Sequence, residues 1–306
     1  MRRILPGILM VAALVVGISP ARADVTVVAT VPDLAAIVRE IGGSSVRVVS
    51  LAAPTQDPHF VDAKPNLALK LAKADLLVYV GLDLEVGWLP TLIVGSRNAS
   101  IQAGAKGNLD CSKFVELLDV PAQKIERSMG DIHPGGNPHY LHDPRRALAV
   151  AAGIAARLQE IDPVNATAYA SGLESFRGKL GARIAGWAKR MEPWKGTRIV
   201  TYHKSFVYVE NWLGLQTVEH VEPKPGIPPN PRHVLDVIQA AKTSGAKVLL
   251  QETYYPAQTS MTIAEKSGLR VVAVSAGADS EGGQSYGDRV EAMVNALESA
   301  LKGGGA

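Results

Sequence analysis

One apolar stripe divides this sequence in two. Tyr169, Leu173, Phe176, Leu180, Ile184, Trp187 and Met191 follow one another at gaps of 4, 3, 4, 4, 3 and 4. That is the spacing of one face of an α-helix. It predicts a single helix of about 27 residues, roughly 40 Å long at 1.5 Å per residue, stopped by Pro193. A helical rod of that length between two sets of strands is a stiff hinge, unlike a floppy linker. Four short segments precede the rod: "VTVVATV" (25–31), "VRVVSLA" (46–52), "LLVYVG" (76–81) and "ASIQAG" (99–104). Four follow it: "RIVTYH" (198–203), "LQTVEHVE" (215–222), "KVLLQE" (247–252) and "RVVAVS" (270–275). Most are rich in β-branched residues and bounded by turn formers, the signature of strands. Several are apolar nearly throughout, as in parallel strands buried on both faces. Helical segments such as "LAAIVREIGG" and "RHVLDVIQAAKTSG" alternate with them, which gives βαβ units. The expected fold is α/β: two lobes, each with a four-stranded, mostly parallel sheet, joined by one long rigid helix. The lobes are expected over 24–164 and 193–306, the helix over 165–192. Ligands of open α/β sheets bind beyond the carboxyl ends of the strands, so the cleft between the lobes is the expected site.

The first 23 residues stand apart. Arg2 and Arg3 precede an apolar run from Ile8 to Ile18, and "ARA" precedes Asp24. A basic start, a short apolar middle and small residues at the end form a secretory signal peptide; the run is too short for a membrane span. The whole chain has 32 basic and 29 acidic residues. Removing Arg2, Arg3 and Arg22, with no acid among residues 1–23, leaves 29 of each sign. No basic excess remains to bind nucleic acid or anionic lipid. Cys111 is the only cysteine, which excludes an intramolecular disulfide and a cysteine-rich zinc knot. It also lies far from the cleavage point, so a lipid on a mature N-terminal cysteine is excluded. The mature chain is expected to be soluble and exported to the periplasm.

Seven histidines are present, and three fall within "GDIHPGGNPHYLHDP" (130–144). The prolines and glycines there make it a loop. A solvated His-rich turn and a metal site are both open readings of that loop alone. The strand ends narrow the choice. His59 lies in a Pro-bounded turn after the second segment, and His203 ends the first segment of the second lobe. Glu252 ends the third, and Asp279 follows the fourth in a Gly-rich loop. Histidines and a carboxylate meeting from two lobes describe a divalent transition-metal site.

The motifs "VPDLAAIVREIGG", "DPHFVDAKP", "GLDLEVGWL", "GNPHYLHDP", "TYHKSF" and "EPKPGIPPNP", in this order and across the mature chain, resemble those of the solute-binding proteins of zinc and manganese ABC importers. The resemblance implies two α/β lobes joined by a rigid helix, with His59, His139 and His203 as metal ligands. The family often carries "LDP" after the last strand, its Asp being the fourth ligand. Here that place reads "VSAGAD", and Asp279 is expected as the fourth ligand, with Glu252 as its competitor. A tryptophan common after the "NPH" histidine is replaced around "YLH", and the His142 so introduced is expected behind the ligands or in solvent. Zinc-binding relatives often carry a His-rich loop before "NPH". Segment 108–137 holds only His133, which is expected to touch the metal transiently. His220 and His233 have no partner motif and are expected to be structural or on the surface.

The implied function is capture of Zn2+ and its delivery to an ABC importer permease in the membrane, by a monomer, with a metallochaperone as a further candidate partner. Three imidazoles and one carboxylate suit zinc better than Mn2+, which prefers oxygen. Manganese members of the family typically exchange a histidine for glutamate at the place held by His203. An exported zinc hydrolase is the rival reading, but no "HExxH" or comparable motif supports it. An adhesin or a metal store is a third.

Overall fold

The computed structural model describes residues 24–122 and 133–303; the expected signal peptide, 1–23, lies outside them. The first lobe holds β1 (Val25–Ala29), α1 (Pro32–Gly42), β2 (Val46–Ser50), α2 (Pro65–Leu71), β3 (Leu76–Tyr79), α3 (Leu89–Ser96) and β4 (Asn108–Asp110). Two helices follow, α4 (Pro144–Ile161) and α5 (Ala166–Met191). The second lobe holds β5 (Arg198–Thr201), α6 (Val207–Leu213), β6 (Gln216–His220), α7 (Pro231–Ser244), β7 (Val248–Glu252), α8 (Ala257–Ser267), β8 (Arg270–Val274) and α9 (Tyr286–Lys302). Both sheets are parallel, and they share one strand order: β2-β1-β3-β4 and β6-β5-β7-β8. Each sheet therefore reverses direction beside its first strand, and a crevice opens there at the carboxyl ends.

Seven of the eight strands fall where the pattern placed them. The fourth does not. Residues 99–104 are no strand: Asn98 caps a 3-10 turn over Ala99–Ile101, its Oδ1 accepting from Ser100 N at 3.0 Å, and Gly104 takes a left-handed φ of 83°. Only Ile101 in that run is bulky and apolar, and it is fully buried. The fourth sheet position goes to the three residues of β4, too few to show a period.

The long helix runs Ala166–Met191, and its stripe faces inward. Tyr169, Phe176, Leu180, Trp187 and Met191 are buried, and Leu173 and Ile184 pack partly buried against the same core. The helix touches α1 and α4 of the first lobe and α9 of the second. Its polar flank grips α9: Arg190 bonds Glu298 and Glu291 at 2.6 Å each, and Trp187 Nε1 donates to Glu291 at 2.5 Å. One hydrophobic cluster runs from β1 and α1 through α5 to β7 and α9. The lobes share a core and are not tethered by a loop, which fixes the two sets of strand ends relative to each other. Among the described residues no helix is long and apolar enough to cross a membrane.

Candidate metal centre

His59, His139 and His203 meet in the cleft, with one potential ligand atom of each lying within 4.8 Å of the others. Their ring centroids are 5.2, 5.4 and 5.2 Å apart. A tetrahedral ion with Zn–N bonds of about 2.0–2.1 Å would place imidazole centroids about 5.2 Å apart. The three rings already stand at that separation.

Two of the three are placed by the same local device. In "DPH", Asp57 Oδ1 accepts from His59 N at 2.9 Å and takes His59 Nδ1 at 2.7 Å. In "NPH", Asn137 Oδ1 accepts from His139 N at 3.0 Å and takes His139 Nδ1 at 2.9 Å. An Asx side chain two residues before the histidine thus caps the turn and orients the ring together. Tertiary contacts fix each turn in turn. Trp88 Nε1 donates to Pro58 O at 2.9 Å, and Tyr208 OH donates to Asn137 O at 2.8 Å. Asn137 Nδ2 also donates to Lys204 O at 2.8 Å, so one amide orients a first-lobe histidine and grips the residue after His203.

His203 is held by long-range pairing. It lies two residues beyond β5, and Glu222 lies two residues beyond β6, whose register matches Thr201 with His220. Continued in step, the two side chains meet: His203 Nδ1 is 2.7 Å from Glu222 Oε2. All three Nδ1 atoms are therefore taken by oxygen, which sets the tautomer and leaves Nε2 for a metal. The Nε2 atoms of His59 and His139 are buried without a hydrogen-bond partner. Burial in the apolar cleft, and then the neighbouring His203, His59 and His133, hold the His139 pKa well below the ordinary histidine value. That imidazole is neutral and ready to ligate at pH 7. Burial alone would raise Asp57, but the His59 hydrogen bonds leave its pKa lowered. Asp57 and Glu222 place two carboxylates behind the three imidazoles, charge that would balance a divalent cation. A cavity of about 180 Å³, lined by Asp57, His59, Phe60, His203, Glu222 and Tyr255 among others, reaches the histidines from one side.

The expected fourth ligands do not join them. Asp279 is exposed; its Oδ1 accepts from Gly282 N at 3.0 Å, and its own N donates to Gln284 Oε1. The loop after β8 carries it past the cleft, and the residue this loop presents beside His139 is Ala276, which has no donor atom. Glu252 ends β7 and is buried at 1 % exposure, but it too lies outside the three-histidine group. It borders a cavity of about 40 Å³ shared with His139, His142 and Ala276. Its oxygens have no hydrogen-bond partner among the described residues, and His142 Nε2 stands 3.6 Å from Oε1. His142 is buried, and Arg289 donates to its Nδ1 at 3.1 Å. Arg289 of α9 also pairs with Asp33 of α1, both 2 % exposed, and Asp33 Oδ1 accepts from Ala278 N at 2.8 Å. This buried network ties the lobes together behind the histidines.

His220 and His233 are structural. His220 Nδ1 is 2.7 Å from Thr201 Oγ1, and His233 Nε2 bonds the His220 carbonyl at 2.9 Å. The "GLDLEVGWL" motif supplies a brace for the end of β3. Glu85 takes Thr30 Oγ1 at 2.6 Å and the backbone N–H groups of Val80 and Gly81 at 2.8 and 3.1 Å, and burial raises its pKa to about 7. Sequence reasoning missed Asp57, Asn137 and Glu222 as orienting groups. The repeated Asx-Pro-His triplet could have given the first two; the third needed the β5–β6 register.

Known proteins resemble this chain. The chain is 27 % identical over 242 residues, 68 % of its own length and 70 % of the other's, to the high-affinity zinc uptake system protein ZnuA of Paracoccus denitrificans (strain Pd 1222). It is 31 % identical over 159 residues to the manganese ABC transporter substrate-binding lipoprotein scaA of Streptococcus gordonii, a match spanning about half of each chain (51 % and 48 %). A crystal structure of ZnuA superposes with a TM-score of 0.76 at 22 % identity, covering 90 % of this chain and 98 % of that one, a likeness of fold. The model of the family "Zinc-uptake complex component A periplasmic" matches residues 27–300, nearly all of the described chain, and the protein belongs to that family.

Proposed function

We propose that this protein captures zinc outside the cytoplasm and delivers it to the membrane permease of an ABC importer. One observation carries the reading: three imidazoles from two lobes, each with Nδ1 held by an oxygen, at tetrahedral spacing. His59, His139 and His203 are the ligands. Imidazole nitrogen suits zinc, and a site that gathers no carboxylate among the described residues suits manganese poorly. The protein is no enzyme. A hydrolytic zinc site needs three protein ligands, an open position and a general base beside substrate space. Glu252, the carboxylate nearest that description, borders only the cavity of about 40 Å³, too small for a peptide or ester. Residues 1–23 direct export to the periplasm and are removed. Cys111, buried inside the first lobe, is no site for a lipid. The protein acts as a monomer, with the permease and a loading metallochaperone as its partners.

Competition titration of the purified apo protein with Zn2+ and Mn2+ at pH 7 tests the reading. Zinc should bind one to one and far more tightly. His59→Ala, His139→Ala and His203→Ala should each cut zinc affinity at least a hundredfold with the apo melting temperature little changed. Equal or tighter manganese binding would overturn the metal assignment, and wild-type affinity in any of the three variants would overturn the ligand set.

A further inference from the structure

We propose that His133 is the fourth ligand, so that the ion sits in a cage of four imidazoles. This rests on the zinc-capture reading above and deepens it. Three observations converge. First, His133 is prepared as the other three are. Its ring faces the backbone carbonyl of Leu82, and its Nε2, like those of His59 and His139, is buried with no hydrogen-bond partner, so Nε2 is the free atom. Second, it stands beside them. Its ring centroid is 5.4 Å from that of His59, the spacing found within the trio, and 6.2 Å from that of His139. It lies just outside the three-histidine group, so closing the cage takes an inward shift of the ring, about 1 Å toward His139, to the tetrahedral value set by Zn–N bonds of about 2.0–2.1 Å. Third, among the described residues nothing else fills the position. Asp279 is committed to its own loop, Ala276 has no donor, and Glu252 lies behind His139 in the small cavity.

The backbone on both sides supports the placement. Leu82, whose carbonyl holds the ring, is in the left-handed region at φ 54°, a costly conformation for leucine that the Glu85 brace at Val80 and Gly81 stabilises. On the other side, Gly136 N donates to His133 O at 3.2 Å, and Asn137 N donates to Leu118 O at 3.0 Å. The turn that carries His133 thus leads directly into the Asn137 cap of His139. Four neutral nitrogens close the coordination sphere and leave no position for an activated water, which marks a carrier site and not a hydrolytic one. They also contain no oxygen for manganese.

X-ray absorption of the zinc-loaded wild-type protein, paired with His133→Ala and His133→Gln, tests this. The wild type should show four imidazole nitrogens, and both variants three with one oxygen. Cobalt-loaded protein should show the same change in its visible absorption bands. Zinc affinity should fall tenfold or more in both variants. A wild-type spectrum with three imidazoles and an oxygen, or unchanged zinc affinity in both His133 variants, would overturn the assignment of His133. If instead the wild type binds no zinc, or His139→Ala binds it normally, the zinc-capture reading itself fails.

Discussion

Glu222→Gln separates the charge behind the site from its geometry. Glu222 Oε2 is 2.7 Å from His203 Nδ1 and also accepts from Gly226 N at 3.0 Å. A glutamine oxygen can accept both bonds, so the ring should keep its tautomer and the loop its anchor. Asn137 already holds His139 with a neutral amide in the same way. What the substitution removes is one negative charge. Adding a Zn–N bond of about 2.0–2.1 Å and the width of the ring to the 2.7 Å hydrogen bond puts the carboxylate about 6.5 Å from the ion. With charges of 2 and 1 and an effective dielectric near 20, that attraction is about 5 kcal/mol. This is a ceiling, because the amide dipole and entering water replace part of it. Losing such a partner of a metal-bound histidine typically costs 10- to 100-fold in affinity, about 1.4–2.7 kcal/mol. Competition against a chromophoric zinc chelator at pH 7 reads the loss, and a thermal melt of the apo protein checks the fold. A variant that folds normally and binds zinc as tightly as the wild type would refute the charge-balance argument.

Zinc should raise the melting temperature, because an ion held by both lobes binds only the native state; at 100 times the dissociation constant the gain is about 2.7 kcal/mol, and calorimetry showing no shift under saturating zinc would contradict a two-lobe site. Apo stability should fall as pH drops below about 6.5, the ordinary histidine value. Burial, followed by neighbouring cationic groups, lowers His139 well below that value, His133 to about 3 and His220 to about 4, so the unfolded chain takes up protons that the native state refuses. The buried Glu85, raised to about 7, works in the opposite sense, but one carboxyl against three imidazoles leaves a net loss; a urea midpoint equal or higher at pH 5 than at pH 7.5 would sink the argument. In α5, Gly178→Ala, Gly181→Ala and Gly186→Ala meet open space and should each stabilise by about 0.5–1 kcal/mol. Gly172→Ala should destabilise, since its new methyl group would overlap the Ile41 carbonyl of α1; stabilisation by all four, read from urea midpoints, would show that the α1–α5 contact is looser than described.

The sequence by itself determined the architecture and the three gathered histidines. Hydrophobic period is a local quantity, so the stripe from Tyr169 to Met191 and the paired sets of apolar strands could be read before any contact was known. Asx-Pro-His is local too: the turn that places His59 or His139 is closed within three residues. The remaining features depended on distance in space. Residues 108–110 became a strand only because β3 offers an edge to pair with. Glu222 became the partner of His203 because two strands run in parallel register. Asp279 is the expected fourth ligand because, in the loop after β8, it is the nearest Asp to the place where the resembling family carries one. The path of that loop turned it outward to solvent, where its carboxylate caps Gly282. His133, six residues from His139 in a Gly-Pro turn, reads in sequence as a group that touches the metal only transiently. Its proposed place beside the other three depends on Leu82, 51 positions earlier in the chain, whose backbone carbonyl its ring faces. Chain proximity sets which groups can form a turn, but a coordination sphere is set by where loops from separate strands end, and packing of the whole molecule decides that.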